Sequence, residues 1–373
     1  MNFLIVTHVL HSIEQKQYYA YAPYVREMNI WLKYADKCTI VAPVTDKELT
    51  AIDIAYKHPA IVFQKVPLIG LTSLKNSLKT IIRIPLVMYA IAKAMHQADH
   101  IHLRCPGNIG LLACLVQIFF PLKIKTAKYA GNWDSKSKQP WSYRLQKWIL
   151  NNTFLTQNIQ VLVYGDWEKQ SKNIKAFFTA TYKEEEKEVV TKADFKSVIE
   201  FIFVGSVVAG KKPMYAIQLV EQFIKEGKKA VLNIYGDGIE KAVLEKYIKE
   251  NQLVNHIVLH GNQNHEVLKK AYQKSHFVVL ASKSEGWPKA VAEGMFWGCV
   301  PLATSVSCVP DMLDNGNRGI LLAMNLDKDT AAIIELVNDS IEFKKKSLAA
   351  SNWSQNYTLD RFENEIQKLL QCE

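Results

Sequence analysis

Two glutamates eight positions apart, Glu285 and Glu293, lie in the stretch SKSEGWPKAVAEGMFWGCVPLAT that runs from Ser282 to Thr304. A carboxylate offers acceptor oxygens only, which suits it to holding hydroxyl groups. Earlier in the chain the stretch GSVVAGKKP, beginning at Gly205, carries Lys211 and Lys212. A lysine in a glycine-bracketed loop supplies a compact positive charge where backbone can approach a phosphate closely. The two stretches together suit a ligand with hydroxyls at both ends and phosphate between.

The elements around these residues would bring them to one edge. Phe277–Leu280 is an apolar run too short for a helix and reads as a buried strand of a parallel sheet. The chain turns at Gly286, Pro288 suits the first helical position, Ala290–Trp297 continue a helix, and Gly298 ends it as a left-handed cap. In open α/β sheets ligands bind outside the carboxyl ends of the strands. The first amides of the following helix, at Lys289, Ala290 and Val291, can hold an anion there. Glu285 then sits in the loop beside Gly286 and Trp287, and Glu293 inside the helix, both toward one crevice. A nucleotide sugar has the shape these groups require.

Further polar stretches follow strand patterns. Phe201–Val204 leads into Gly205 and Ser206, Tyr235–Gly238 reads YGDG, and Gly261 opens GNQNHE. Gly236 and Gly261 either shape a base pocket through backbone groups or make simple turns. The GDG lacks the third spaced glycine of a dinucleotide fingerprint. In the first half, HLRCPGN (His102–Asn108) and YAGNWD (Tyr129–Asp134) place polar residues at a cleft mouth. Arg104 there is suited to grip an acceptor anion or a leaving diphosphate, with a structural ion pair as the alternative. His100 and His102 alternate along a strand and share a face, and His8 joins them as a candidate set. Without a fourth ligand or loop spacing this falls short of a metal site. An acid or hydrogen-bonding role, for which His102 is the candidate, stands against an ordinary packed histidine. Asp327 and Asp329 form a DxD at a helix start, where capping is the favoured reading over metal.

At 373 residues the chain exceeds one hydrophobic core, so two domains are expected. The alternation of short apolar runs with helical patterns argues for βαβ units. In the first half the expected strands are Phe3–Val6, Cys38–Ala42, Ile61–Val66, His100–Leu103, Ile124–Tyr129 and Ile159–Val163. The expected divisions are 1–182, a charged linker 183–196 (Tyr182–Lys196 reads YKEEEKEVVTKADFK), 197–357, and a final helix 358–373 packing back on the first domain. Hydrophobic content of 49% and charged content of 22% exclude a disordered chain. A net charge of +10 favours an anionic partner: nucleic acid, acidic lipid or a phosphorylated substrate. Lys136, Lys138, Trp141, Tyr143, Arg144, Lys147 and Trp148 form one basic and aromatic group, and Lys75, Lys79, Arg83 and Lys93 mark another. Such faces suit acidic lipid headgroups or are simply solvated, and no nucleic-acid motif accompanies them. Cys38, Cys105, Cys114, Cys299, Cys308 and Cys372 show no metal spacing, which fits free thiols in a reducing cytoplasm. No signal peptide is read at the start, and Ile109–Pro121 is too short to span a bilayer.

The spacing Glu285-GWPKAVA-Glu293-G, with FVGSVVAGK, IYGDG, LHGN and GCVPLATSVSCVPDMLDNGNRGILL in the same order, resembles GT-B glycosyltransferases of family GT4. That resemblance implies an α/β fold of two Rossmann-like domains facing across a cleft. It implies a retaining glycosyltransferase that moves a sugar from a UDP-, GDP- or ADP-sugar to a glycan or lipid-linked acceptor, in surface or capsular polysaccharide synthesis. Neither metal nor other cofactor would be needed. Glu285 would hold sugar hydroxyls, Glu293 the ribose and Lys211 the diphosphate, with the amides after Glu285 contributing. Family members carry arginine where this chain has Ser206, so the phosphate grip would rest on Lys211 with Lys212 or Arg104. The glycine pair usual after the first strand is replaced by THVLHSIEQKQYYAYAP, which alters the acceptor side. The enzyme is expected in the cytoplasm, with peripheral contact at an acidic membrane face and no nucleic acid as partner. A nucleotide-sugar 2-epimerase of the same architecture and a non-catalytic glycan- or nucleic-acid-binding protein are the alternatives.

Overall fold

Short runs rich in Val, Ile, Leu and Phe become strands because their branched side chains fill both faces of a parallel sheet, and the periodic segments between them cover those faces. The structure is a computed structural model. It describes residues 1–50, 52–70, 74–190, 192, 195 and 198–371, with residues 74–81 described by their backbone. The side chains of Lys75 and Lys79, the junction at Lys196 and Ser197, and Cys372 lie outside the described residues.

The chain forms two compact units: Met1–Phe178 with the chain from Glu363 onward, and Thr179–Phe362. In the first unit the elements are β1 (Asn2–Val6), β2 (His11–Glu14), β3 (Gln17–Tyr21), α1 (Ala22–Trp31), β4 (Lys37–Ala42), β5 (Asp53–Ala55) and β6 (Ile61–Lys65). They continue with α2 (Leu74–Gln97), β7 (His100–Cys105), α3 (Asn108–Val116), β8 (Ile124–Tyr129), α4 (Trp141–Leu150), β9 (Ile159–Tyr164) and β10 (Ile174–Phe177). Its main sheet has the order β10-β9-β8-β7-β1-β4-β6 and is parallel throughout. Residues of α2, α3 and α4 share one core with one face of that sheet. Trp31 of α1 lies on the other face against Phe3.

The second unit runs β11 (Ile199–Val204), α5 (Pro213–Lys225), β12 (Ala230–Tyr235), α6 (Lys241–Glu250), β13 (Ile257–Gly261), α7 (His265–Lys274) and β14 (Phe277–Leu280). It continues with α8 (Lys289–Phe296), β15 (Val300–Thr304), α9 (Val309–Met312), β16 (Ile320–Leu322), α10 (Leu326–Asn338), α11 (Ser340–Ser354) and the start of α12 (Leu359–Gln371). Its sheet order is β13-β12-β11-β14-β15-β16, again parallel. β11 and β14 are neighbours, with Phe201 opposite Phe277. The loops that follow these two strands therefore open side by side at one edge of the sheet.

Several elements depart from the sequence reading, β10 and α9 among them, which no expected strand or helix covered. A small antiparallel sheet, β2-β3-β5, stands where no strand was expected. Its hairpin turns at Gln15 and Lys16, both left-handed (φ 48° and 65°), without the Asn or Gly that marks such turns. α11 buries Phe343, Ser347, Ala350, Ser351 and Ser354, a face of mostly small and polar residues that shows no apolar period. α8 begins one residue later than expected, because Pro288 is its cap and not its first turn. Gly298 does close it with φ 73°, as a left-handed cap.

Candidate active site

The loop after β11 and the loop after β14 are tied together by backbone. Lys283 N donates to Gly210 O at 2.9 Å. That tie carries Lys211 to Glu285, whose Oε1 accepts from Lys211 Nζ at 2.5 Å. Glu285 is buried (8% exposed) while the Lys211 side chain keeps 30% of its surface open. A buried carboxylate needs such a partner, since an unpaired charge would be costly to take out of water. The Glu285 loop is held from a second side as well. Thr304 Oγ1 donates to Ser282 O (2.6 Å), and Ser307 Oγ and Cys308 Sγ both reach Gly286 O (3.1 and 3.4 Å). None of these three supports was picked out from the sequence, because each is a side chain from the end of β15 or just after it acting on a carbonyl some twenty residues earlier.

Gly205, Ser206 and Gly236 take a different part from the one expected. Gly205 N donates to Tyr235 O and Val207 N to Asp237 O, both at 2.9 Å, so the YGDG loop lies directly on the loop after β11. A Cβ on Gly236, where φ is 140°, would stand 1.9 Å from Gly205 O. This glycine permits the close packing of the two loops. Ser206 stays exposed, and Lys212 is the left-handed cap (φ 49°) from which α5 starts at Pro213. Gly261, with φ 67°, ends β13 and accepts from Gly236 N. His260 beside it stacks on Tyr235, ring centroids 4.3 Å apart.

Glu293 is engaged separately from Glu285. Thr181 Oγ1 donates to its Oε1 (2.7 Å) and the Tyr272 hydroxyl to its Oε2 (3.2 Å). Its carboxylate also lines a shallow pocket with Tyr182, Trp287, Lys289, Ser354 and Tyr357. Thr181 and Tyr272 were missed in the sequence, where neither carries a motif. Trp287 is part of an aromatic group with Trp353 (6.0 Å) and Tyr357 (5.4 Å), and the Arg318 guanidinium lies over Trp353. Of the three amides expected to face an anion, Val291 N is taken by Pro288 O at 3.0 Å, and Lys289 and Ala290 are the first two residues of α8.

In the first unit two expected site residues turn out to be interior. His102 is fully buried between Trp31 and Phe3, with Nδ1 on Thr126 Oγ1 at 2.9 Å. Burial, then the charges of Arg104, His100 and Lys128, hold it neutral, its pKa far below the usual histidine value. It cannot reach a substrate, because alternation along β7 turns it onto the face that α1 covers. Arg104 donates to Glu27 Oε1 at 3.2 Å, with the Tyr24 ring 5.4 Å away. Burial works against its charge, but Glu27, Tyr164 and Tyr24 together raise its pKa. Arg104 is thus engaged in an ion pair with Glu27, its side chain 12% exposed, as the alternative weighed above had it. Among His8, His100 and His102 only His8 is exposed, just past β1 with its ring against Gly107.

Asp329 accepts from Ala323 N, Met324 N and the Tyr215 hydroxyl, and Asn325 is the side chain that caps α10. The DxD thus holds a turn, though the cap itself falls to a neighbour. Among the described residues no group of three His, Cys, Asp or Glu gathers. Cys38, Cys105, Cys114, Cys299 and Cys308 are free and buried. Among the described residues no helix is long and apolar enough to cross a membrane.

Two Rossmann-like halves, with the candidate site on the loops at one edge of the second sheet, have the GT-B fold of the solved structures that match the chain. Residues 183–354, within the second unit, match the family model described as glycosyl transferases group 1, the family that the motifs resemble. The chain is 25% identical over 145 residues to an alpha-D-kanosaminyltransferase of Streptomyces kanamyceticus, covering 39% of this chain and 38% of that protein. It is 24% identical over 160 residues to a poly(glycerol-phosphate) alpha-glucosyltransferase of Bacillus subtilis, covering 42% and 23%. The matched segments thus span well under two thirds of these relatives. Among solved structures, Anabaena Alr3699/HepE in complex with UDP and glucose superposes over 100% of both chains with a TM-score of 0.70 at 14% identity.

Proposed function

We propose that this protein is a retaining glycosyltransferase that moves a sugar from a nucleoside-diphosphate sugar to a hydroxyl of a glycan or lipid-linked acceptor. The single observation that carries this reading is the Lys211–Glu285 pair at 2.5 Å, set beside the start of α8 where the strands β11 and β14 end. Lys211 supplies the positive charge that the donor diphosphate needs as the leaving group gains charge, and Glu285 offers acceptor oxygens to the sugar hydroxyls. The pair is exchanged when donor binds: phosphate oxygens take over Lys211, and sugar hydroxyls take over Glu285. Lys289 and Ala290 opening α8 place a helix amino end toward the same anion. Glu293, held by Thr181 and Tyr272, is assigned to the ribose.

In this reading the leaving phosphate oxygen assists the incoming hydroxyl, and the new bond forms on the face that the old one leaves. The protein's part is positioning and charge stabilisation, with no metal required. The names of the relatives, which include a transferase acting on poly(glycerol phosphate), support a role in surface polysaccharide synthesis. The buried free thiols support a reducing, cytoplasmic setting. The test is incubation with a panel of UDP-, GDP- and ADP-sugars, following donor hydrolysis and transfer in the native protein and in Glu285→Ala. Donor turnover that collapses in the variant is expected. Absence of turnover with every donor, or full activity in the variant, overturns the proposal.

A further inference from the structure

One of the turns that support the Glu285 loop is itself under backbone strain. Leu280 of β14 lies opposite Ala303 of β15, so the loops after these two strands leave the sheet side by side. In the second loop Ser307 has φ 51°, in the left-handed region that glycine enters freely and most other residues avoid. Glycine would make that turn without cost. What serine has and glycine lacks is a hydroxyl, and Ser307 Oγ donates to Gly286 O at 3.1 Å. A residue in a sparsely populated conformation persists where the surrounding structure enforces it, and such residues gather at functional sites.

The carbonyl that Ser307 meets is already served. Cys308 Sγ donates to the same Gly286 O at 3.4 Å, and burial pushes its thiol up to about 12, which keeps it a donor at neutral pH. One donor satisfies a carbonyl oxygen, and two, one to each lone pair, fix its direction. The peptide unit is planar, so Gly286 C=O and Trp287 N–H point opposite ways. Holding the carbonyl on the β15 loop therefore turns the Trp287 N–H away from that loop. Trp287 is held through its ring as well, by Trp353 and Tyr357. Glu285 stands one residue before this fixed unit, with Lys211 on its carboxylate.

We propose that Ser307 is a positioning residue for the transfer: its hydroxyl, kept in a strained turn, sets the Gly286–Trp287 peptide and through it the angle at which Glu285 and the Trp287 amide meet the donor sugar. Ser307 touches no reacting atom and acts through Gly286. The proposal rests on the transferase reading above. Stability is given up at this turn, since a glycine would relieve it, and the hydroxyl is what the strain retains.

Ser307→Ala and Ser307→Gly separate the hydroxyl from the strain, because both lose the hydroxyl and only glycine relieves the turn. Each is assayed on the donor that the native protein turns over fastest in the panel of UDP-, GDP- and ADP-sugars. In both variants kcat should fall about tenfold, with the donor KM within about threefold of native. Deuterium exchange across residues 282–290 should quicken by about tenfold in both. Melting should part them: Ser307→Ala lower by about 2–4 °C, Ser307→Gly within about 2 °C of native, its lost bond offset by the relaxed turn. Native kcat in Ser307→Gly, or native loop exchange in both variants, overturns the proposal. A native protein inactive on the whole panel overturns the transferase reading and this proposal with it. That result is distinct from an active native protein matched by an equally active Ser307→Gly, which sinks the role of Ser307 alone.

Discussion

Lys211 and Glu285 are 74 residues apart in the chain and meet only because β11 and β14 are adjacent strands. Their pairing gives each residue a separable role. Glu285→Gln keeps the shape but removes the charge that orders the sugar hydroxyls, so kcat should fall by about a hundredfold with little change in nucleotide affinity. Glu293→Gln should act on the nucleotide instead, weakening UDP, GDP or ADP binding by about tenfold in calorimetry while kcat at saturation changes little. Equal effects of the two substitutions on both quantities would refute the division of labour. Lys211→Met removes a charge-assisted contact to phosphate and should raise the dissociation constant of the nucleoside diphosphate by about thirtyfold.

At the level of elements, the loops after β11, β12 and β14 behave as one assembly locked by backbone bonds. Gly236→Ala tests this. The added Cβ would meet Gly205 O at 1.9 Å in a left-handed backbone, which no rotamer relieves. A loss of about 2 kcal/mol is expected, or a fall in melting temperature of about 4–8 °C. Unchanged melting would mean that the loops are not so joined. Most of the strands and the longer helices could be read from apolar runs and periodic segments, because parallel strands buried on both faces advertise themselves. The glutamate spacing and the lysine loop were legible for the same reason, since each follows such a strand. What stayed hidden depended on contacts between distant residues. His102 and Arg104 looked polar and well placed, yet alternation along β7 and the ion pair with Glu27 turned them inward. The hairpin at Gln15–Lys16 and the small-residue face of α11 carry no local signal of turn or period.

For the whole molecule, the first unit keeps titratable groups uncharged in its interior. His11 and His100 are buried, and loss of water lowers each pKa from 6.5 to about 4. The unfolded chain therefore binds protons that the folded one refuses between those values, so stability present above pH 6.5 is lost as pH falls toward 4. Each histidine contributes about 3 kcal/mol to that loss at pH 4, together comparable to the stability of a typical domain. Circular-dichroism melts at stepwise pH should show a transition that drops steeply below about pH 6, and His100→Gln should flatten the dependence. A melting temperature constant from pH 7 to pH 4.5 would contradict this account.

One consequence follows from where α12 runs. Thr179–Phe362 is a single uninterrupted stretch, whereas the first unit takes its closing pieces from beyond it. Glu363 accepts from Lys33 and Tyr34, and Glu365 pairs with Lys175 at 2.9 Å. During synthesis from the amino end, the unit that is begun first is therefore the one completed last. The second unit has all its residues once position 362 leaves the ribosome, while the first still waits for its final helix. Until those last residues emerge, Lys33, Tyr34 and Lys175 lack the partners they have in the folded unit.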